Sequence, residues 1–164
     1  MSQYVTSSDS ETQDVARALA PHLQPGDLLL LRGDLAAGKT TFVQGLAAGL
    51  GIERRITSPT FTLHQSYRGR LELHHLDLYR LKKPEELSDL GLPDLLDTAG
   101  VVAVEWPELM LDRLDLPEFL DIGFDTEAQD RRIVRFEFRG ESWMHRRATV
   151  EADLARWRRR SGPC

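Results

Sequence analysis

Apolar side chains recur at three- and four-residue spacing through Val15, Ala16, Leu19, Ala20 and Leu23, which predicts an amphipathic first helix over residues 11–23. Ser10, with Gln13 three residues on, supplies a capping-box start, and Pro25-Gly26 supplies the stop. The run Leu28 to Leu31 shows no alternation, the pattern of a strand buried on both faces. After a glycine-bearing turn from Gly33 to Gly38, Phe42, Leu46 and Leu50 place an apolar stripe on a second helix, which Gly51 ends as a left-handed cap. Residues 61–67 and 71–78 read as two strands joined at Arg68-Gly69. Pro84 opens a short helix, and Leu87, Leu90, Leu92, Leu95 and Leu96 extend a helical region to Gly100. Residues 101–104 form another wholly apolar strand running into Glu105-Trp106-Pro107. Further strands are expected at 119–124 and 133–138, and residues 141–160 read as one or two helices around Trp143 and Trp157. Helices alternating with mainly parallel buried strands, without repeat, linker or low-complexity tract, predict a single α/β sandwich over residues 1–164.

Composition narrows the class. A chain of 164 residues buries roughly 70% of the surface its unfolded form exposes. Its longest aliphatic run is far short of the ~20 residues that span a membrane, so a membrane span, collagen and wholesale disorder are excluded. Cys164 is the only cysteine, and no basic stretch precedes an apolar segment near Met1, so the chain reads as cytoplasmic and without a disulfide framework. The net charge of −5 is unevenly spread: residues 1–130 carry 11 basic and 22 acidic side chains, residues 131–164 carry 10 and 4. The end of the chain, about 141–164, therefore reads as a basic appendage. It suits a phosphate backbone or an acidic protein surface, and equally a solvated amphipathic helix.

The chemistry concentrates in Gly33-Asp34-Leu35-Ala36-Ala37-Gly38-Lys39-Thr40, which fits G-x-x-x-x-G-K-[ST] between a predicted strand and a predicted helix. That context marks a phosphate-binding loop rather than a mere glycine-rich turn. Backbone N–H groups from Ala36 to Thr40 cradle phosphates, Lys39 meets the β- and γ-oxygens, and the Thr40 hydroxyl ligates Mg²⁺. Such a metal needs a carboxylate at a neighbouring strand end, and there are two candidates, Asp77 and Glu105. Each, taken alone, is equally a strand-end acid capping the next turn. His64, His74 and His75 do not suggest zinc, since adjacent histidines on a strand face opposite ways and no cysteine pair accompanies them. Thr57-Ser58-Pro59-Thr60 is either a switch-like loop whose hydroxyls reach the γ-phosphate or attacking water, or an ordinary turn. The chain has no asparagine, so the guanine-reading N-K-x-D signature is absent and ATP is favoured over GTP. Trp106 is placed to stack on a base or partner, or to pack in the core.

Taken together, five segments resemble the bacterial TsaE family, the P-loop ATPase of tRNA threonylcarbamoyladenosine synthesis. They are Gly33-Asp34-Leu35 with Ala37 to Thr41, the stretch Ile56 to Leu63, His75 to Arg80, Pro84 to Leu87, and Val104 to Pro107. The resemblance covers roughly residues 8–125. It implies a P-loop NTPase-like three-layer sandwich with a mixed, mainly parallel sheet. It also implies a partner-stimulated ATP hydrolase, docking on the TsaB and TsaD proteins that attach threonylcarbamoyl to the adenosine beside the anticodon of tRNAs reading codons that begin with A. By position, Lys39 binds phosphate and is catalytic with Asp77, which orients or activates the attacking water, while Thr40 and Glu105 hold Mg²⁺. Asp9 and Thr12, at the start of the first helix, correspond to where the family approaches the nucleotide, alongside Gly33, Leu35, Ala36, Ala37, Gly38, Thr41 and Trp106. tRNA is engaged indirectly or through the basic end, with no membrane partner. Where the family usually has glycine, this chain has Ala36, a cost of ~1 kcal/mol if positive φ is required there. The rival readings are a small-molecule or nucleotide kinase, for which no lid is evident, and a nucleotide-gated binding module without turnover.

Overall fold

The computed structural model describes residues 1–160; residues 161–164, with Cys164, lie outside the described residues. Seven strands form one sheet in the order β1-β7-β6-β2-β5-β4-β3. They are β1 (Ser2–Thr6), β2 (Leu28–Arg32), β3 (His64–Tyr67), β4 (Leu73–Asp77), β5 (Val101–Glu105), β6 (Phe119–Thr126) and β7 (Arg132–Arg139). β2 pairs in parallel with β5 and β6, and β4 pairs in parallel with β5. The remaining pairs, β1 with β7, β6 with β7 and β3 with β4, are antiparallel. Five strands therefore share a direction and β3 and β7 oppose it, the mixed, mainly parallel sheet expected.

Alternation along the central strands builds the two outer layers. Leu29, Leu31, Ala103 and Leu120 join a large core with α1 (Asp9–Leu19), α2 (Lys39–Gly49) and α6 (Glu141–Asp153). Leu28, Leu30, Leu76, Val102 and Val104 point the other way. They pack with residues of the short helices α3 (Glu85–Asp89), α4 (Leu92–Leu96) and α5 (Glu108–Leu111). A strand whose successive residues serve opposite cores must be apolar throughout, which is why the leucine run lacks a period. No helix among the described residues is long and apolar enough to cross a membrane.

The C-terminal helix is tied into this core. Trp143, Val150 and Leu154 are buried in the larger cluster, and Arg146 makes a two-pronged ion pair with buried Asp27 at 2.6 and 2.8 Å. Arg147 pairs with Glu151, Arg131 and Arg159 with Glu127, and Arg139 with Glu137, so much of the basic charge of this region is met within the chain.

Several local expectations need correction. Helix α1 starts two residues earlier than the Ser10–Gln13 pattern indicates: Ser8 is the cap, its hydroxyl accepting from the Glu11 N–H at 3.1 Å. The helix ends at Leu19 and a 3₁₀ turn, Ala20–His22, finishes the segment. Residues 61–63 are a turn rather than the start of β3. Leu63 N–H donates to the Pro59 carbonyl at 2.6 Å and Leu63 takes φ of +64°, which leaves Phe61 exposed. Strand β1 and helix α5 were not foreseen.

Candidate functional site

β2 leads into the glycine-bearing loop and α2 begins at Lys39. Two glycines make the loop possible. Gly33 has φ of +152°, and a Cβ there would meet the Phe124 carbonyl oxygen at 2.7 Å; Gly38, with φ of +113°, is the cap from which α2 starts. Between them the Ala37 N–H donates to the Asp34 carbonyl at 3.1 Å, closing a tight turn whose third residue, Ala36, takes φ of +60°. The N–H groups of the first turn of α2 consequently face the same opening as the loop, with the positive end of the helix dipole behind them.

Two parallel strands deliver the acids. In the β4–β5 register Asp77 lies opposite Glu105, so both carboxylates leave the same end and the same face of the sheet. Both are buried. The Thr40 hydroxyl reaches Glu105 at 2.9 and 3.2 Å, joining the start of α2 to the end of β5. Asp77 is fixed by the Tyr79 N–H at 3.0 Å and by the Thr60 hydroxyl at 3.2 Å, and Thr60 shares a hydrogen bond with Ser58. The Thr57–Thr60 segment is thus wired to Asp77. Lys39 is 5% exposed; its ammonium donates to the Asp34 carbonyl at 2.8 Å and to that of Gly33, and lies 4.1 Å from the Trp106 ring centre. Burial pushes this lysine below its ordinary value of 10.5, an effect opposed first by Glu105 and then by Asp77, Glu108 and Asp34.

These groups line one cavity of about 400 Å³. Of the expected residues it collects Asp9, Leu35, Ala36, Ala37, Gly38, Lys39, Thr40, Thr41, Asp77, Glu105 and Trp106. Ser58 and Thr60 join them. Thr12 is not on the wall: it is buried behind the loop, bonded to Thr6 at 2.8 Å. Gly33 contributes its carbonyl to Lys39 rather than to the cavity. Trp106 sits beneath the lysine with Tyr79 against its ring, the centroids 4.8 Å apart. The histidines separate as strand alternation requires: His75 reaches Glu105 at 2.6 Å, and His74 stacks on His64.

Arg132 also lines the cavity, and nothing in the sequence placed it there. It opens β7, where the register sets it opposite Thr6 of β1 and Thr126 of β6. Its guanidinium is tethered to the carbonyls of Ala128 and Gln129, while Nε is buried without a partner. The only sequence signal was membership of the basic stretch that starts at Arg131. For a metal, the donor set is a hydroxyl and one or two carboxylates, and no group of three or more His, Cys, Asp or Glu is assembled among the described residues. That set suits Mg²⁺, which completes its shell with water and substrate phosphate.

Known proteins match this arrangement over most of its length. The family model "Threonylcarbamoyl adenosine biosynthesis protein TsaE" matches residues 6–134. The tRNA threonylcarbamoyladenosine biosynthesis protein TsaE of Bacillus subtilis is 43% identical over 132 residues, 80% of this chain and 82% of that protein. Its counterpart in Treponema pallidum is 47% identical over 110 residues, 65% of this chain and 80% of that protein. The crystal structure of Bacillus subtilis YdiB superposes with a TM-score of 0.76 at 35% identity, covering 94% of this chain and 93% of that one.

Proposed function

The chain belongs to the TsaE family of threonylcarbamoyl adenosine biosynthesis proteins, and we propose that within tRNA modification it acts as a Mg²⁺-dependent ATP hydrolase driving the TsaB and TsaD proteins. The observation that carries this reading is the meeting of three elements at one point. The start of α2 brings Thr40 onto Glu105, and β4 sets Asp77 beside Glu105 on the loop's side of the sheet.

The roles follow from what each group can do. The turn closed by the Ala37 N–H on the Asp34 carbonyl shapes the loop, and the N–H groups of Ala36 and of Gly38 to Thr40 are the ones left to bind the phosphates. Lys39 is held by two neutral carbonyls, and a phosphate oxygen, being anionic, is a stronger acceptor for the same ammonium. Thr40 and Glu105 would hold Mg²⁺, which supplies charge neutralisation of the phosphate oxygens. Asp77, oriented by Tyr79 and Thr60, is the carboxylate available to align water, and its link to Thr60 makes that alignment depend on the Thr57–Thr60 loop.

Dependence on partners agrees with the surroundings. Leu35, Phe61 and Tyr79 are three of the five large apolar side chains left exposed among the described residues, at 69%, 81% and 44%, and they come from the phosphate loop, the Thr57–Leu63 turn and the segment just after β4. A docked protein covering them would also order the loop wired to Asp77. Contact with tRNA is assigned to those partners, because many arginines of the basic C-terminal segment are engaged within the chain. The test is ATP binding by Lys39→Ala, measured together with thermal melting. The variant should fold and lose ATP binding by at least tenfold; unchanged affinity in a folded variant would refute the phosphate-loop assignment.

A further inference from the structure

His75 is fully buried at the centre of β4, two residues before Asp77 and on the same face of the sheet. Its Nε2 lies 2.6 Å from Oε2 of Glu105, and its Nδ1 is buried with no hydrogen-bond partner. A carboxylate only accepts, so Nε2 carries the hydrogen and donates it. This is the one polar contact of the ring. Glu105 therefore has a divided load. Oε2 takes His75 and the shorter Thr40 contact at 2.9 Å, and Oε1 keeps only the longer Thr40 contact at 3.2 Å. One ring donor fixes the rotation of the carboxylate and leaves Oε1 with acceptor capacity.

We infer that His75 is a positioning residue that holds Glu105 in the orientation needed to take up the divalent cation with Thr40. This rests on the Mg²⁺ assignment to Thr40 and Glu105 proposed above. It differs from a role in stability alone. A histidine that merely satisfied a buried acid would affect melting without setting the affinity for the cation, whereas partners of a metal ligand commonly change metal affinity 10–100-fold when removed.

The experiment titrates Mn²⁺, as a spectroscopic stand-in for Mg²⁺, into the full chain with saturating ADP, and follows the free ion by its paramagnetic resonance. Wild type is compared with His75→Leu, His75→Gln and His75→Asn, each checked by thermal melting. His75→Leu should weaken Mn²⁺ binding at least tenfold while changing metal-free ADP affinity less than twofold. His75→Gln, whose terminal amide extends to the place of Nε2, should recover most of the loss, and the shorter His75→Asn should not. Unchanged Mn²⁺ affinity in a folded His75→Leu would overturn the proposal. If that variant does not fold, equal affinities for the Gln and Asn variants would overturn it. A wild type with no saturable Mn²⁺ site would instead refute the metal assignment beneath it.

Discussion

Replacing Ala36 by glycine isolates the cost of one backbone conformation. Ala36 is the third residue of the turn closed by the Ala37 N–H on the Asp34 carbonyl, and its φ is +60°. A turn of this kind needs positive φ at that residue. An L-residue with a Cβ holds it at a cost of about 1–2 kcal/mol. Glycine removes that cost but gains freedom in the unfolded chain, which returns about 0.4–1 kcal/mol. The net expectation for Ala36→Gly is a stabilisation of about 0.5–1 kcal/mol, and for a chain of this size roughly 1–4 °C in melting temperature. The turn's own hydrogen bond fixes the geometry, so the strain belongs to the loop and not to a nucleotide contact. ATP affinity should then change by less than about twofold, against the roughly fivefold that 1 kcal/mol would give if strain were built only on binding. Scanning calorimetry and ATP titration of the same preparations decide the matter. A lowered melting temperature, or a fivefold gain in affinity with no gain in stability, would refute the reasoning.

Asp77→Asn and Glu105→Gln should both suppress ATP hydrolysis, but raising Mg²⁺ should partly restore only Glu105→Gln, since the role proposed for Asp77 is on water and that for Glu105 on the metal; equal rescue in Mg²⁺-dependent rate assays would overturn the division of roles. Lys39 has its proton affinity lowered by burial, so it begins to lose its proton below pH 10.5, and a bound phosphate shifts it back up. ATP binding should therefore take up a proton in the alkaline window between the two values, with affinity falling as pH rises through the lower one. Calorimetry in buffers of different ionisation enthalpy reads this uptake, which should vanish in Lys39→Arg; the same uptake in that variant would contradict the assignment.

The loop, the two apolar strands and the acid that ends one of them were legible because each is a local pattern. Leu28 to Leu31 needs no alternation when both faces are covered, and Val101 to Glu105 ends in an acid within one strand. What stayed hidden depends on tertiary pairing. Arg132 reaches the cavity only because β7 lies between β6 and β1, and His75 meets Glu105 only because β4 and β5 are neighbours. The edge strand β1 carries no apolar signature because Ser2, Tyr4 and Thr6, the residues it buries, all bear hydroxyl groups. Backbone conformation was hidden as well. Ala36, Leu63 and Trp106 have positive φ without being glycine, and all three adjoin the site: Ala36 and Trp106 line the cavity, and the Leu63 carbonyl accepts from the Asp77 N–H at 3.0 Å. Strain tolerated at such positions is characteristic of sites where geometry matters more than stability.

The most direct test of the central claim is steady-state release of ADP from ATP by this chain alone, with TsaB, with TsaD, and with both, each in Mg²⁺ and in a chelator. The account predicts slow Mg²⁺-dependent hydrolysis by the lone chain, marked acceleration when both partners are present, and none in the chelator. Hydrolysis that is absent under every condition, or fast in the lone chain and unaltered by the partners, would contradict it.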